Sequence, residues 1–372
     1  MSVIIGTRTE VQKYFDSDAL NQSTFKELEG GLDNMLSVIA KRKKDIEENK
    51  PLPDYFLIGG AVDIILTGVE GEYEQNYHVS TLDKMPSDVE KQITDFVFNS
   101  LVATEALDEA SFSECPDLIL QACDTLNWQA NWKAETRVNK IIEKCEVYFE
   151  ELAISVGKEV ISAEMHNRIM TIVNSLRTNE RTKKYFDREL QAELENMDFY
   201  YQLPIYFTYA ETECKALLDI VIVTKDEYGH ILKIEPIDLK TMSGNTLDFH
   251  SSMKSRRYDM QAAWYVEALT HYFQATTPII EPFKFIVEST TNMGLSVVYE
   301  ITDDTLDVGK HGLPSFDALD VETGRVLYYK PKPGWVKLVA LYLYYQRQDF
   351  RQDIIFDSNP GVIKLDWTKG IL

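Results

Sequence analysis

The chain has 372 residues, 60 of them acidic and 38 basic, for a formal net charge of −22 at pH 7. A hydrophobic content of 44% places it among globular rather than disordered chains, and no apolar run approaches the roughly 18 residues that span a bilayer. The acidic balance argues against broad, nonspecific adhesion to nucleic acid, though a basic strip confined to one groove is compatible with an acidic exterior.

The first residues, Met1-Ser2-Val3-Ile4-Ile5, lack the basic flank and long apolar stretch of a signal peptide, which predicts a cytoplasmic protein. Residues 1–50 read as a charged helical segment ending in Lys41-Arg42-Lys43-Lys44, before Pro51 and Pro53 break the chain. From Ile58 to Leu66, the apolar residues Ile58, Ala61, Val62, Ile65 and Leu66 follow helical spacing and predict a buried helix face, with Gly68 closing it. Residues 85–190 read as mostly helical, with one helix over Ala134–Leu152 and another capped by Ser162. Cys115, Cys123, Cys145 and Cys214 form no C-x-x-C pair and have no histidine at zinc-ligand spacing, so they read as reduced thiols.

The pattern changes near residue 199. Tyr201–Tyr209 is aromatic and extended, and residues 216–223 and 231–240 are β-branched runs separated by the turn Lys225-Asp226-Glu227-Tyr228-Gly229-His230. A helix over Arg257–Phe273, strands at 283–289 and 295–302, and an aromatic helix around Trp335–Gln348 complete the reading. The predicted class is α/β or α+β, a small mixed sheet flanked by helices.

Asp219 stands alone in an apolar strand, where a carboxylate is costly unless a metal or cation pairs with it. Asp238 and Lys240 lie two residues apart in the next strand, so period-two alternation puts both on one face, about 7 Å apart. A hairpin centred between Tyr228 and Gly229 sets Asp219 directly opposite Asp238, at roughly 5 Å. Bare carboxylates at that distance repel, and a divalent cation between them removes the repulsion. Oxygen ligands select a hard ion: magnesium, with manganese as substitute, held by the two carboxylates and the Leu239 carbonyl. Lys240 adds a charge for orienting water or stabilising phosphate. Tyr258, Gln261 and Tyr265 share one face of the following helix, where a backing or positioning role for Gln261 and Tyr265 fits. Lys254, Arg256 and Arg257 lie close in sequence and predict phosphate contacts, together with Thr241 and Tyr258.

The order Asp219, then Asp238-Leu239-Lys240-Thr241, then Gln261-Ala-Ala-Trp-Tyr265 resembles the PD-(D/E)xK nuclease superfamily, and within it the RecB-type and phage exonucleases related to exonuclease VIII. The resemblance spans roughly residues 55–300. Where such enzymes carry an upstream Gly-x-x-x-His, this chain has Gly59-Gly60-Ala61-Val62-Asp63, so Asp63 is read as a further metal ligand. The resemblance implies a restriction-endonuclease-like core over 51–300, its helical part at 51–195 and its catalytic sheet and helix at 196–300. Residues 1–50 and 301–372 are additions to that core. It further implies a DNA exonuclease acting on double-stranded ends in phage-type recombination, in the cytoplasm of a bacterial or phage-infected cell. A homo-oligomer and a single-strand annealing protein as partner belong to the same expectation. An endonuclease or a nuclease subunit of a repair or defence complex would use the same chemistry, and a DNA-binding protein that keeps the fold without catalysis is the alternative of another class.

Overall fold

The computed structural model describes residues 2–47, 52–107, 111–274, 279–319, 326–329 and 331–351. The central feature is a six-stranded mixed sheet of β1 (Ser2–Ile5), β2 (Met197–Tyr209), β3 (Thr212–Lys225), β4 (Ile231–Met242), β5 (Lys284–Ser289) and β6 (Val297–Glu300). The strands lie side by side in chain order. β1 runs parallel to β2 and β4 parallel to β5, while the other neighbours are antiparallel. The sheet curls into a half-barrel flanked by helices, which bears out the expected class.

The longer helices are α1 (Arg8–Asp16), α2 (Leu32–Glu47), α3 (Asp54–Thr67), α4 (Asp88–Ala103), α5 (Pro116–Thr125) and α6 (Ala134–Ile154), then α7 (Ala163–Thr178), α8 (Phe249–Arg256), α9 (Tyr258–Phe273), α10 (Asp303–His311) and α11 (Trp335–Gln346). Local chemistry explains several starts and stops. The Ser162 hydroxyl accepts the Met165 N–H at 3.0 Å and caps α7. The Gly68 N–H closes α3 on the Ile64 carbonyl. Among the described residues no helix is long and apolar enough to cross a membrane.

Two layers sandwich the sheet. On one face Trp264 of α9 packs with Phe25, Met35, Ile205, Leu218 and Trp335, and its indole N–H donates to the Lys215 carbonyl at 3.1 Å. On the other, Ile58, Ala61, Val62 and Leu66 of α3 meet Ile172 and Leu176 of α7 over Tyr201, Ile220 and Ile237. Four of the five residues of the predicted face of α3 are thus buried, and Ile65 is half-buried at its margin. A third cluster joins α4, α5 and α6 around Ile93, Ile119, Ile141 and Phe149, and buries Cys115, Cys123 and Cys145 as free thiols.

The N-terminal fifty residues differ from the expected helical addition. Ser2–Ile5 forms the edge strand β1, and Phe25, Leu28, Leu32 and Met35 belong to the main core. The short apolar run Val3-Ile4-Ile5 pairs with Phe199-Tyr200-Tyr201, a long-range contact that local periodicity cannot register. At the other end, Trp335, Leu338 and Val339 of α11 enter the same core, and residues 352–372 lie outside the described residues.

Candidate active site

The β3–β4 hairpin keeps the predicted register: Ile220 faces Ile237 and Val221 faces Pro236. One step further stand Asp219 and Asp238. The ladder ends there, and the Leu239 N–H donates to Asp219 Oδ2 at 2.8 Å. From that point β4 continues on β5 alone, pairing Asp238 with Phe285 and Lys240 with Val287. The parting of β3 from β4 opens the floor of a cleft of about 880 Å³ lined by Asp63, Asp219, Leu239, Lys240, Thr241, Arg256 and Tyr258, among others.

Alternation holds along β4. Ile237 and Leu239 enter the layer beneath α3, so Asp238 and Lys240 face the other way, toward α9. Asp238 is 1% exposed. Its Oδ1 accepts from Gln261 Nε2 at 3.0 Å, and Gln261 Nε2 also reaches the Tyr265 hydroxyl at 3.1 Å. Asp238 Oδ2 lies 2.5 Å from Lys240 Nζ but has no hydrogen bond of normal geometry. Lys240 Nζ also sits 5.0 Å from the centre of the Tyr258 ring. The one-face prediction for Tyr258, Gln261 and Tyr265 therefore agrees with these contacts.

Asp63 enters from α3. The glycines before it let that helix lie close to the sheet: a Cβ on Gly59 would stand 3.0 Å from Thr241 Oγ1. Asp63 Oδ2 accepts from Gln202 Nε2 at 2.8 Å, and Asp63 Oδ1 accepts from the Thr67 hydroxyl at 3.0 Å.

The three aspartates feel one another. Burial and the neighbouring charge of Asp238 push Asp63 up to about 6. Asp219 is raised well above the ordinary carboxylate value by burial, then by Asp238 and Asp63. Burial raises Asp238 too, against the pull of Lys240. Burial opposes the Lys240 charge, but Asp238 and Asp219 outweigh it and hold the ammonium above its usual range. The Tyr265 phenol is pushed far up by burial and by Asp238, so it stays protonated.

This donor set suits a hard divalent cation. It is all oxygen, its three acids are buried, and the charge of Asp238 raises the pKa of both Asp63 and Asp219. Among the described residues, no three acid, histidine or cysteine side chains are already gathered as a metal cluster. Each aspartate is instead turned onto a protein donor: Leu239 N–H, Gln261 and Lys240, or Gln202 and Thr67. Asp63, Asp219 and Asp238 are the residues that would hold the ion. Leu239 lines the cleft beside them.

The residues expected to contact phosphate divide. Arg256, Thr241 and Tyr258 line the cleft, whereas Lys254 is exposed and does not line it. The phosphate contact expected of Arg257 is corrected. Its side chain is buried, with Nη1 2.6 Å from Glu29, Nε and Nη2 on Asp259, and Nη2 also on the Pro333 carbonyl. Its φ of 57° makes it the left-handed joint between α8 and α9, which turns the guanidinium inward.

Three contributors escaped the sequence reading. Gln202 and Thr67 hold Asp63. Thr67 lies four residues after Asp63 on one helix face, a signal that was available, and Gln202 interrupts an aromatic run. Lys26 lines a smaller cavity of about 230 Å³ behind Gln261 and Tyr265, together with Arg256 and Tyr258. Burial lowers its pKa; Glu27 opposes this, while Arg42, Arg256 and Lys240 lower it further. Nothing local marks Lys26, because the fold alone brings it to the site.

No family model matches the chain, and comparison with curated proteins gives no match. Among solved structures, the chain is similar to a protein of Eubacterium rectale described as a candidate exonuclease, at 15% identity, with 64% of this chain and 77% of that chain covered and a TM-score of 0.28. A likeness that loose carries no functional weight, so the case for function rests on the residues in the cleft.

Proposed function

We propose that the chain is a magnesium-dependent deoxyribonuclease that hydrolyses phosphodiester bonds from the ends of double-stranded DNA, with manganese able to substitute. The observation that carries this reading is the position of Asp219 and Asp238 one step beyond the last rung of the β3–β4 ladder, with Lys240 against Asp238, beside a cleft that Asp63, Asp219, Lys240 and Arg256 line. A binding module has no use for opposed acids that repel DNA.

Magnesium, when held by Asp63, Asp219 and Asp238, supplies charge neutralisation at the phosphate and a lowered pKa for water. Gln261, backed by Tyr265, fixes the Asp238 carboxylate. Lys240, kept cationic by the acids beside it, orients the attacking water and stabilises charge developing on phosphate. Arg256 and Lys26 hold the backbone. The exposed Tyr55 and Phe56 rings, 4.5 Å apart at the cleft wall, offer flat faces to unpaired bases.

End-directed action, a homo-oligomer with DNA in its centre, a single-strand annealing partner and a cytoplasmic setting follow from the resemblance to exonuclease VIII-type enzymes. An acidic exterior with a basic interior would reconcile the −22 charge with DNA binding.

The test is release of nucleotides from linear duplex DNA labelled separately at each end, in magnesium, beside closed-circular DNA. Linear DNA should be degraded and the circle spared, and Asp238→Ala and Lys240→Ala should each abolish release. Unchanged degradation by both variants would falsify the assignment.

A further inference from the structure

The two central strands change face at one shared position. On β2, Phe199 and Tyr201 lie in the layer beneath α3 and α7, whereas Leu203, Ile205 and Phe207 lie beneath α9. On β3, Ala216 and Leu218 lie beneath α9, whereas Ile220 and Ile222 lie beneath α3 and α7. Strict alternation would keep each odd or even series on one side. The inversion falls at Gln202 on β2 and at Asp219 on β3. The ladder pairs Tyr201 with Ile220 and Leu203 with Leu218 and skips the position between them.

Gln202 makes the inversion by taking a φ of 48°, the left-handed region, in the middle of a strand. That conformation is costly for any residue with a side chain, and glycine would adopt it freely. The carboxamide is well used. Gln202 Nε2 donates to Asp63 Oδ2 and to Thr67 Oγ1, both at 2.8 Å, and Thr67 Oγ1 donates to Asp63 Oδ1 at 3.0 Å and to the Asp63 carbonyl at 2.8 Å. Both carboxylate oxygens of Asp63 are thereby held by neutral donors. A glutamate at position 202 would present an acceptor to an acceptor.

We infer that Gln202 is a positioning residue for the metal site: its carboxamide sets the side chain of Asp63 so that this acid can join Asp219 and Asp238 around a divalent cation, while Gln202 itself touches neither ion nor substrate. The inference rests on reading the cleft as a metal-dependent hydrolytic centre. It accounts for a strained non-glycine residue at this point of the sheet, because glycine would relieve the backbone and lose the donor.

The test measures Mn2+ binding to the full-length, DNA-free protein by calorimetry and by the Mn2+ electron paramagnetic resonance signal, alongside thermal unfolding. Gln202→Gly should keep or raise the Tm in metal-free buffer while weakening Mn2+ affinity by about 10–100-fold, the usual cost of losing a group that orients a ligand. Gln202→Asn, which tolerates the left-handed backbone but has a shorter reach, should lose affinity in the same way and serves if the glycine variant does not fold. Wild-type affinity in the folded variants, with only the Tm lowered, would make Gln202 structural and overturn the inference. Absence of Mn2+ binding in the wild-type protein would overturn the metal-centre reading itself, and the inference with it.

Discussion

Asp219 Oδ2 and the Leu239 backbone N–H are joined at 2.8 Å at the point where strands β3 and β4 part. A side-chain oxygen thus satisfies a donor beyond the last rung of the ladder, and the strands separate without stranding a buried N–H. The same carboxylate faces Asp238 across the gap. The opening in the sheet and the charge at its floor come from one residue.

Asp219→Asn should therefore stabilise the metal-free protein and remove its response to metal. The folded-state pKa of Asp219 is raised above its unfolded value by burial, Asp238 and Asp63, with Lys240 opposing. An acid raised in this way holds its proton longer when folded, so it costs nothing below about pH 4. The cost grows as pH rises toward the folded value and is complete above it. The stability advantage of Asp219→Asn should be absent near pH 4 and largest near pH 8, on the order of 1 kcal/mol or more, since one pKa unit corresponds to about 1.4 kcal/mol. Added Mg2+ should raise the Tm of the wild type and leave the variant unmoved. Scanning calorimetry at several pH values, with and without metal, measures both, and a wild-type advantage at pH 8 without metal would contradict the assigned repulsion.

Arg257→Ala should destabilise the fold and spare intrinsic DNA affinity. The change leaves Asp259 buried without its cation and removes the bonds to Glu29 and the Pro333 carbonyl. Loss of one partner from a buried pair costs about 3–5 kcal/mol. Urea unfolding reads the loss directly. DNA binding measured where the variant is still folded should match the wild type within a factor of about two, because the guanidinium is buried against Asp259, Glu29 and the Pro333 carbonyl rather than offered to phosphate.

Those contrasts mark what the sequence carries. Asp219, Asp238, Lys240, Gln261 and Tyr265 were legible because strand alternation, one hairpin turn and one helix face are local rules that relate them, and the observed register follows the turn. The edge strand Ser2–Ile5 was not legible: four residues pair with a partner nearly two hundred positions away. Arg257 was misjudged because nothing local signals its left-handed backbone. Gln202 was missed because an inversion of strand face breaks the alternation by which side chains are assigned to a layer.

Lys26→Ala and Arg256→Ala should weaken DNA binding uniformly across sequences and flatten its salt dependence. Both side chains line the cavity behind Gln261, and Arg256 also lines the main cleft. A cation that neutralises one phosphate contributes about 0.9 to the slope of log affinity against log salt on duplex DNA. Each variant should lower the slope by about that amount, and the double variant by about twice as much. Fluorescence anisotropy in Ca2+ from roughly 50 to 200 mM salt would resolve the change. Lys254→Ala, which alters an exposed residue away from the cleft, serves as the control and should leave the slope unchanged.

Tyr55 and Phe56 give the remaining prediction. They are 57% and 56% exposed, their rings stand 4.5 Å apart, and they line the same cleft as Asp63 and Lys240. So much aromatic surface in water, in the first turn of α3, is poorly explained by packing within the chain. A strand end entering the cleft would bring unpaired bases to these rings, and base–aromatic stacking is worth about 1–3 kcal/mol per base. The double variant Tyr55→Ala, Phe56→Ala should weaken binding of frayed or single-stranded ends by about 10-fold or more, while leaving the Tm within about 2 °C because little buried contact is lost. 2-Aminopurine placed at the terminal positions should be quenched on binding the wild type and should brighten on the variant. Equal quenching in both would assign these aromatics to a contact other than bases.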